Sequence, residues 1–297
     1  MDNEKSTRTA FVAALEELFR LDERVVMVSA DSVAVFRAGE LMKKYPERII
    51  EAGIAEGSAV MIAAGMASAG FKPYVCAYAG FLTMRALEQM RTFVAYPQLE
   101  VKFFGANAGM CAGEREGVTH QFFEDLGIMR SVPGFTVFAP SDADDTFETV
   151  KRAYATKGPV YCRIGSGRDP IVGTDRILRS YGTDAVIIGC GAPLKDACKA
   201  ADELKNDGIN ATVINVNVIK PLDEAFLSRY IASAGKLITI EDHNIYGGLG
   251  SAVCEIAGRK VIRLGLNDVY PESGTAAELR DKYHIAEADV VKAVKQA

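Results

Sequence analysis

Tryptophan is absent from the 297 residues, and histidine occurs only three times, at His120, His243 and His284. No two of these histidines are spaced to share a metal ion, so the pattern offers no zinc site built from protein side chains alone. The six cysteines form no C-x-x-C pair, and Cys76, Cys162 and Cys190 fall inside apolar runs that read as strands. They read as buried free thiols packing as small hydrophobes. No basic run interrupts a net charge of -5, which leaves no electrostatic reason to expect nucleic acid. The longest apolar run, 59–70, is too short and too rich in Gly and Ala to span a bilayer. The polar opening, 1–8, does not read as a signal peptide. These absences point to a cytoplasmic enzyme that is not bound to a membrane.

What is present is alternation. Apolar runs at 25–28, 74–77, 101–104, 136–138 and 160–163 alternate with helix-length segments such as 9–20, 86–94 and 142–155. A second set of runs, at 185–189, 212–218, 237–241 and 261–264, alternates with helical segments at 194–207, 223–234 and 250–257. Near-continuous Val, Ile and Phe in short strands separated by helices predicts an α/β protein whose mostly parallel sheets are covered by helices on both faces. Connections between such strands are expected to be right-handed crossovers. The stretch GSGRDPIVGTDRILRSYGT is rich in Gly, charge and turn formers. It predicts a first domain at 1–168, a linker at 169–182 and a second domain at 183–297.

Several polar and aromatic residues stand in loops after strands, where open parallel sheets bind ligands. Glu56 lies at the mouth of a helix of small apolar residues. It is either a carboxylate favoured by the free N–H groups of that helix or a carboxyl in a dry cleft that needs a partner. Asp31 follows the first strand as a helix cap or a ligand contact. Tyr78 and Phe81 flank Gly80 and serve as core anchors or as a surface for stacking a flat heterocycle. The glycine-bracketed loop 113–121 ends in Thr119-His120-Gln121, where His120 is a solvated loop residue or a group that moves protons near neutrality. Gly247-Gly248-x-Gly250 lacks the spacing of a dinucleotide loop and reads as a tight strand-to-helix turn.

Gly53-Ile54-Ala55-Glu56, the alanine-rich helix after it and Lys72-Pro73-Tyr74 together resemble the pyrimidine-binding domain of the transketolase family of thiamine diphosphate enzymes. Ser29-Ala30-Asp31 matches the family pattern beside the cofactor, and so do Gly117, Thr119, His120 and Gln121, with Glu116 standing where relatives have aspartate. Ala139-Pro140-Ser141-Asp142 continues the match in register. The stretch from Glu241 to Ser251 resembles the family's C-terminal domain, which has no catalytic duty in relatives. The resemblance implies thiamine diphosphate as cofactor, with Asp31, Ile54, Glu56, Tyr78 and Phe81 around it. Glu56 then shares a proton with the aminopyrimidine ring, and His120 handles protons at the substrate. Arg8 matches a phosphate-binding arginine of the family, and Glu116, His120 and Arg163 are implied at the sugar.

Departures from the family pattern concentrate at the pocket mouth. Val33-Ala34-Val35 replaces a Thr-Pro-Ser segment, Ala108 stands where relatives often have histidine, and Met84 replaces an aromatic. Arg163 and Arg168 either compensate or are surface and linker charges, and the altered set points to an unusual ketose or a modified phosphate. The family's magnesium- and diphosphate-binding Gly-Asp-Gly does not occur; the nearest match, Asn206-Asp207-Gly208, reads as a helix-ending turn. The resemblance therefore implies the second subunit of a split transketolase of carbohydrate metabolism, moving a two-carbon ketol unit from a ketose or ketose phosphate to an aldose. Mg2+ and its ligands are expected on an N-terminal partner subunit, with no metal ligand on this chain. An α2β2 heterotetramer is expected, with segments 59–69 and 86–94 buried between subunits. A deoxyxylulose-phosphate synthase, a 2-oxo acid dehydrogenase beta chain and a non-catalytic scaffold are the alternatives.

Overall fold

Strands without charge become the interior of two sheets, because only a strand buried on both faces can be apolar at every position. A computed structural model describes residues 4–113 and 116–296. The first sheet has seven strands in the order Val218–Lys220, Thr136–Phe138, Val160–Arg163, Lys102–Ala106, Lys72–Tyr78, Val25–Ser29, Ile49–Glu51. All neighbours are parallel except the edge strand Val218–Lys220, which runs antiparallel to Thr136–Phe138. The second sheet has five strands, ordered Ile262–Leu266, Lys236–Asn244, Ala185–Gly189, Ala211–Asn215, Ile177–Ser180, and only the last pairing is antiparallel.

Within the segment read as a linker, 169–182, the structure forms two strands. Asp169–Pro170 pairs with Glu4–Lys5, and Ile177–Ser180 closes the second sheet. The single strand expected at 212–218 is divided. Val216 donates to Gly189 O at 2.8 Å inside the second sheet, while Asn217 O accepts from Ala139 N at 2.9 Å beside the first. The chain changes sheets between these two residues. Helix 86–94 is also wound differently from expectation. A short α turn, Leu87–Gln89, lies between the π-helical turns Phe81–Arg85 and Met90–Ala95, a winding that recurs at functional sites.

Helices Thr7–Leu21 and Ala143–Ala155 cover one face of the first sheet over Phe11, Leu15, Tyr74, Phe104 and Val150. On the other face one continuous cluster runs from Val28, Ala63, Phe103 and Leu126 to Val186, Ile188, Leu237 and Val253 of the second domain. The two domains thus share a core. Among the described residues no helix is long and apolar enough to cross a membrane.

Candidate active site

Parallel pairing brings the C-terminal ends of Val25–Ser29, Ile49–Glu51, Lys72–Tyr78 and Lys102–Ala106 to one edge of the sheet. The Glu51 carboxylate clips the first two loops together, accepting from Asp31 N at 2.6 Å and Gly53 N at 3.0 Å. Asp31 is exposed and held at φ 49°, in the left-handed region that aspartate tolerates better than most residues. It caps no helix, since the next one begins at Gly39 with Ala38 as its cap. Ile54, in the same loop as Gly53, leaves 76% of its surface exposed.

Glu56 is the first residue of the helix Glu56–Ser68 and is 5% exposed. Its Oε1 accepts from Arg85 Nη1 at 3.3 Å, and the Arg85 guanidinium lies 3.7 Å from the centre of the Phe81 ring. One arginine therefore joins the buried carboxylate to an aromatic wall. Edge-on contacts build that wall, with ring centres 5.4 Å apart for Tyr78 and Phe81, 5.0 Å for Tyr78 and His120, and 5.3 Å for Phe81 and His120. Phe122 backs it, its ring centre 5.3 Å from that of Phe81. Gly80 is required there for space, because a Cβ on it would lie 2.0 Å from the Phe122 ring. Tyr78, Phe81 and His120 are half-buried. Thr119 Oγ1 lies 3.0 Å from His120 Nδ1, orienting the imidazole.

A polar chain adjoins the wall. Arg8 donates to Val35 O at 3.1 Å, to Gly165 O at 3.3 Å and to Asn107 Oδ1, and Asn107 Nδ2 donates to Glu116 Oε2 at 3.0 Å. Burial lowers the pKa of the Arg8 guanidinium, opposed by the charge of Asp169. Burial and then the Glu116 carboxylate raise the Tyr78 phenol, which also feels the charges of Arg8 and Asp31. Wall and chain are thus one electrostatic site.

Arg163, expected at the sugar, lines the cleft between the domains but is held by acceptors of the chain itself. It is 7% exposed, donating to Asp125 at 2.9 and 3.1 Å, to Asp242 O at 3.1 Å and to Phe122 O at 3.3 Å. Burial by itself lowers its pKa, but the charge of Asp125 together with Cys190, Asp242 and Tyr161 outweighs this and the value is raised. A buried guanidinium so committed ties elements together. Arg168 is exposed, and with Thr7, Ala108, Ser166 and Arg280 it lines a cleft of about 320 Å³ between the domains.

Glu51, Arg85, Asn107 and Phe122 were not singled out from the sequence. Only Phe122 had a local signal, being next to Thr119-His120-Gln121. Among the described residues no group of three or more His, Cys, Asp or Glu side chains is placed to hold a metal ion.

Comparison with known proteins gives the family. Residues 3–167 match the family model of the transketolase pyrimidine-binding domain, and residues 173–290 match that of the transketolase C-terminal domain. A putative transketolase C-terminal section from Methanocaldococcus jannaschii is 34% identical, the match covering 98% of this chain and 96% of that protein. A 6-deoxy-6-sulfo-D-fructose transketolase subunit from Clostridium sp. strain MSTE9 is 33% identical over 97% of this chain and 93% of its own. Among solved structures, a split-gene transketolase described as an inactive beta4 tetramer superposes with a TM-score of 0.88 at 34% identity, covering 99% of this chain and 98% of that one.

Proposed function

Because the chain belongs to the transketolase family, where it corresponds to the C-terminal section of a split transketolase, we propose that it works as the second subunit of a cytoplasmic, thiamine diphosphate-dependent enzyme that is active only with an N-terminal partner. One observation carries the reading: Glu56, Tyr78, Phe81 and His120, scattered through the sequence, are joined through Arg85 and the aromatic rings in one run of contacts. The residues fit the aminopyrimidine half of the cofactor, since a buried carboxylate and half-buried ring edges suit a flat, proton-accepting heterocycle. When bound, thiamine diphosphate supplies the electron sink needed to break a carbon–carbon bond beside a carbonyl.

In this reading Glu56 holds and moves a proton at a nitrogen of the aminopyrimidine ring, and the helix N-terminus and Arg85 keep its carboxylate in place. Tyr78 and Phe81 press against the ring and keep water from it, with Asp31 and Ile54 at the cleft mouth. His120, oriented by Thr119, exchanges protons with the hydroxyl of the ketose donor and the carbonyl oxygen of the aldose acceptor. Arg8, Asn107 and Glu116 grip the far end of the sugar. Arg8 suits an anionic substituent there, and the relative named for a sulfonated fructose favours such a ketose. Mg2+ and the diphosphate are assigned to the partner, in an α2β2 assembly.

The test mixes this chain with a partner carrying a diphosphate-binding domain, thiamine diphosphate and Mg2+. Two-carbon transfer to an aldose is then assayed from phosphorylated and sulfonated ketose donors. Each chain alone should be silent, and the mixture active. Micromolar cofactor binding or turnover by the isolated chain overturns the reading.

A further inference from the structure

We propose that Asp242 and His243, in the second domain, are positioning residues for the loop that ends in Thr119-His120-Gln121. The inference deepens the function proposed above, since it rests on His120 being a proton-moving group.

The loop is closed at its base by Gly109 N, which donates to Phe122 O at 2.7 Å, and Ala108 bridges Phe122 in register. That base is held from the second domain. Asp242 Oδ1 accepts from Met110 N at 2.8 Å and its Oδ2 from Cys111 N at 3.1 Å, while its own carbonyl accepts from Arg163. Asn244 N donates to Phe123 O at 2.7 Å. His243, fully buried, accepts from Gly127 N through Nε2 at 3.1 Å, so its proton sits on Nδ1, 2.6 Å from Asn244 O. On the far side Gln121 Nε2 donates to Glu272 O at 3.1 Å. Gly109 is shaped to the carboxylate: it lies at φ +96°, and a Cβ there would stand 2.3 Å from Asp242 Oδ2.

His120 lies two positions before Phe122, so the height and register of this base set where the imidazole meets Tyr78 and Phe81. Satisfied, charge-assisted hydrogen bonds to backbone N–H groups are stiff. A shift of about 1 Å in a reacting group costs about 10²-fold in rate. None of these contacts reaches the helix of Glu56, whose partner is Arg85. The backbone at the base of the His120 loop is therefore hydrogen-bonded from the second domain, whereas the Glu56 carboxylate takes its hydrogen bond from Arg85 of the first.

Asp242→Asn tests this, because the amide turns an N–H2 toward a backbone N–H and keeps only one acceptor. In the isolated full chain, hydrogen exchange of amides at 107–113 should rise about tenfold, while Val25–Ser29 and Ala143–Ala155 exchange as before. In the complex with the partner, sugar turnover should fall about 10–100-fold. Exchange of the cofactor's acidic ring proton into deuterated water, measured without sugar, should stay within about twofold of wild type. His243→Leu should give the same split, and His243→Gln, whose Oε1 still accepts from Gly127, should restore turnover. Parallel loss of both rates, or no loss in either, overturns the proposal and leaves the functional reading standing. A wild-type complex that shows neither rate sinks the functional reading itself.

Discussion

Two acids and two arginines show how little residue type says about role. Arg8 and Arg163 are both largely buried, yet Arg8 ends in a chain of polar side chains at the cleft and Arg163 in a closed ion pair with Asp125. Among the described residues Glu51 accepts two backbone N–H groups, whereas Glu56 meets a single arginine at 3.3 Å, which leaves it acceptor capacity for a ligand. Glu56→Gln keeps the shape and the contact with Arg85 but removes the mobile proton. With the partner and saturating cofactor present, turnover should fall by about 10²–10⁴-fold while thermal melting is unchanged. The informative measurement is exchange of the cofactor's acidic ring proton with no sugar added. A mutant as fast as wild type would reduce Glu56 to a carboxylate that merely suits a helix end.

At the scale of elements, the helix Glu56–Ser68 is apolar on every side, which a solvent-facing helix cannot be. Ala59, Val60, Ala63 and Ala64 pack inward, while Met61 and Ile62 remain 40% and 38% exposed. Beside them Phe93 and Tyr96 are 44% and 88% exposed, and with Met61, Ala64, Gly65 and Ser68 they line a groove of about 400 Å³. A patch of this kind on the back of the helix that carries Glu56 suits a subunit contact. Met61→Asp adds a charge to the lining of that groove. Circular dichroism should stay unchanged, while light scattering of the mixed subunits should show a smaller assembly than wild type. An assembly of unchanged mass would place the contact elsewhere.

For the whole molecule, one buried cation makes stability depend on pH. Lys102 is 1% exposed at the start of a central strand and donates to Thr156 O at 2.6 Å and Gly158 O at 2.7 Å. Among the described residues its hydrogen-bond partners are carbonyls, and burial, opposed by the charge of Glu100, pushes its pKa down to about 8 from 10.5. The folded chain then releases this proton before the unfolded chain does. The cost of burying the charge is full below pH 8 and is relieved as pH rises toward 10.5, a gain of about 3 kcal/mol at 1.36 per unit. Buried Tyr74, Tyr161 and Cys76, all raised by burial, act in the opposite sense at high pH. The stability difference between wild type and Lys102→Met should therefore move in favour of wild type between pH 8 and 10, read from denaturant midpoints. A difference independent of pH would mean that Lys102 is not titrating in the fold.

The sequence by itself determined the class of fold and the chemistry on offer. Strands apolar at every position require sheets buried on both faces, and the Gly-Ile-Ala-Glu and Thr-His-Gln stretches carried the family resemblance. Those are local properties, written in neighbouring residues. Tertiary structure alone decided that the chain changes sheets at Val216 and Asn217, that Ile177–Ser180 becomes a strand, and that residues 81–95 wind partly as π-helix. It also decided that Arg163 closes on Asp125 and Asp242, and that the second domain grips the loop of His120. Arg85 meets Glu56 across 29 positions and Asp242 meets Met110 across 132. Periodicity reports which face of an element is buried, but not which distant side chain will satisfy a charge brought there. That choice is made only when the domains close on a shared core and each buried donor and acceptor must find a partner.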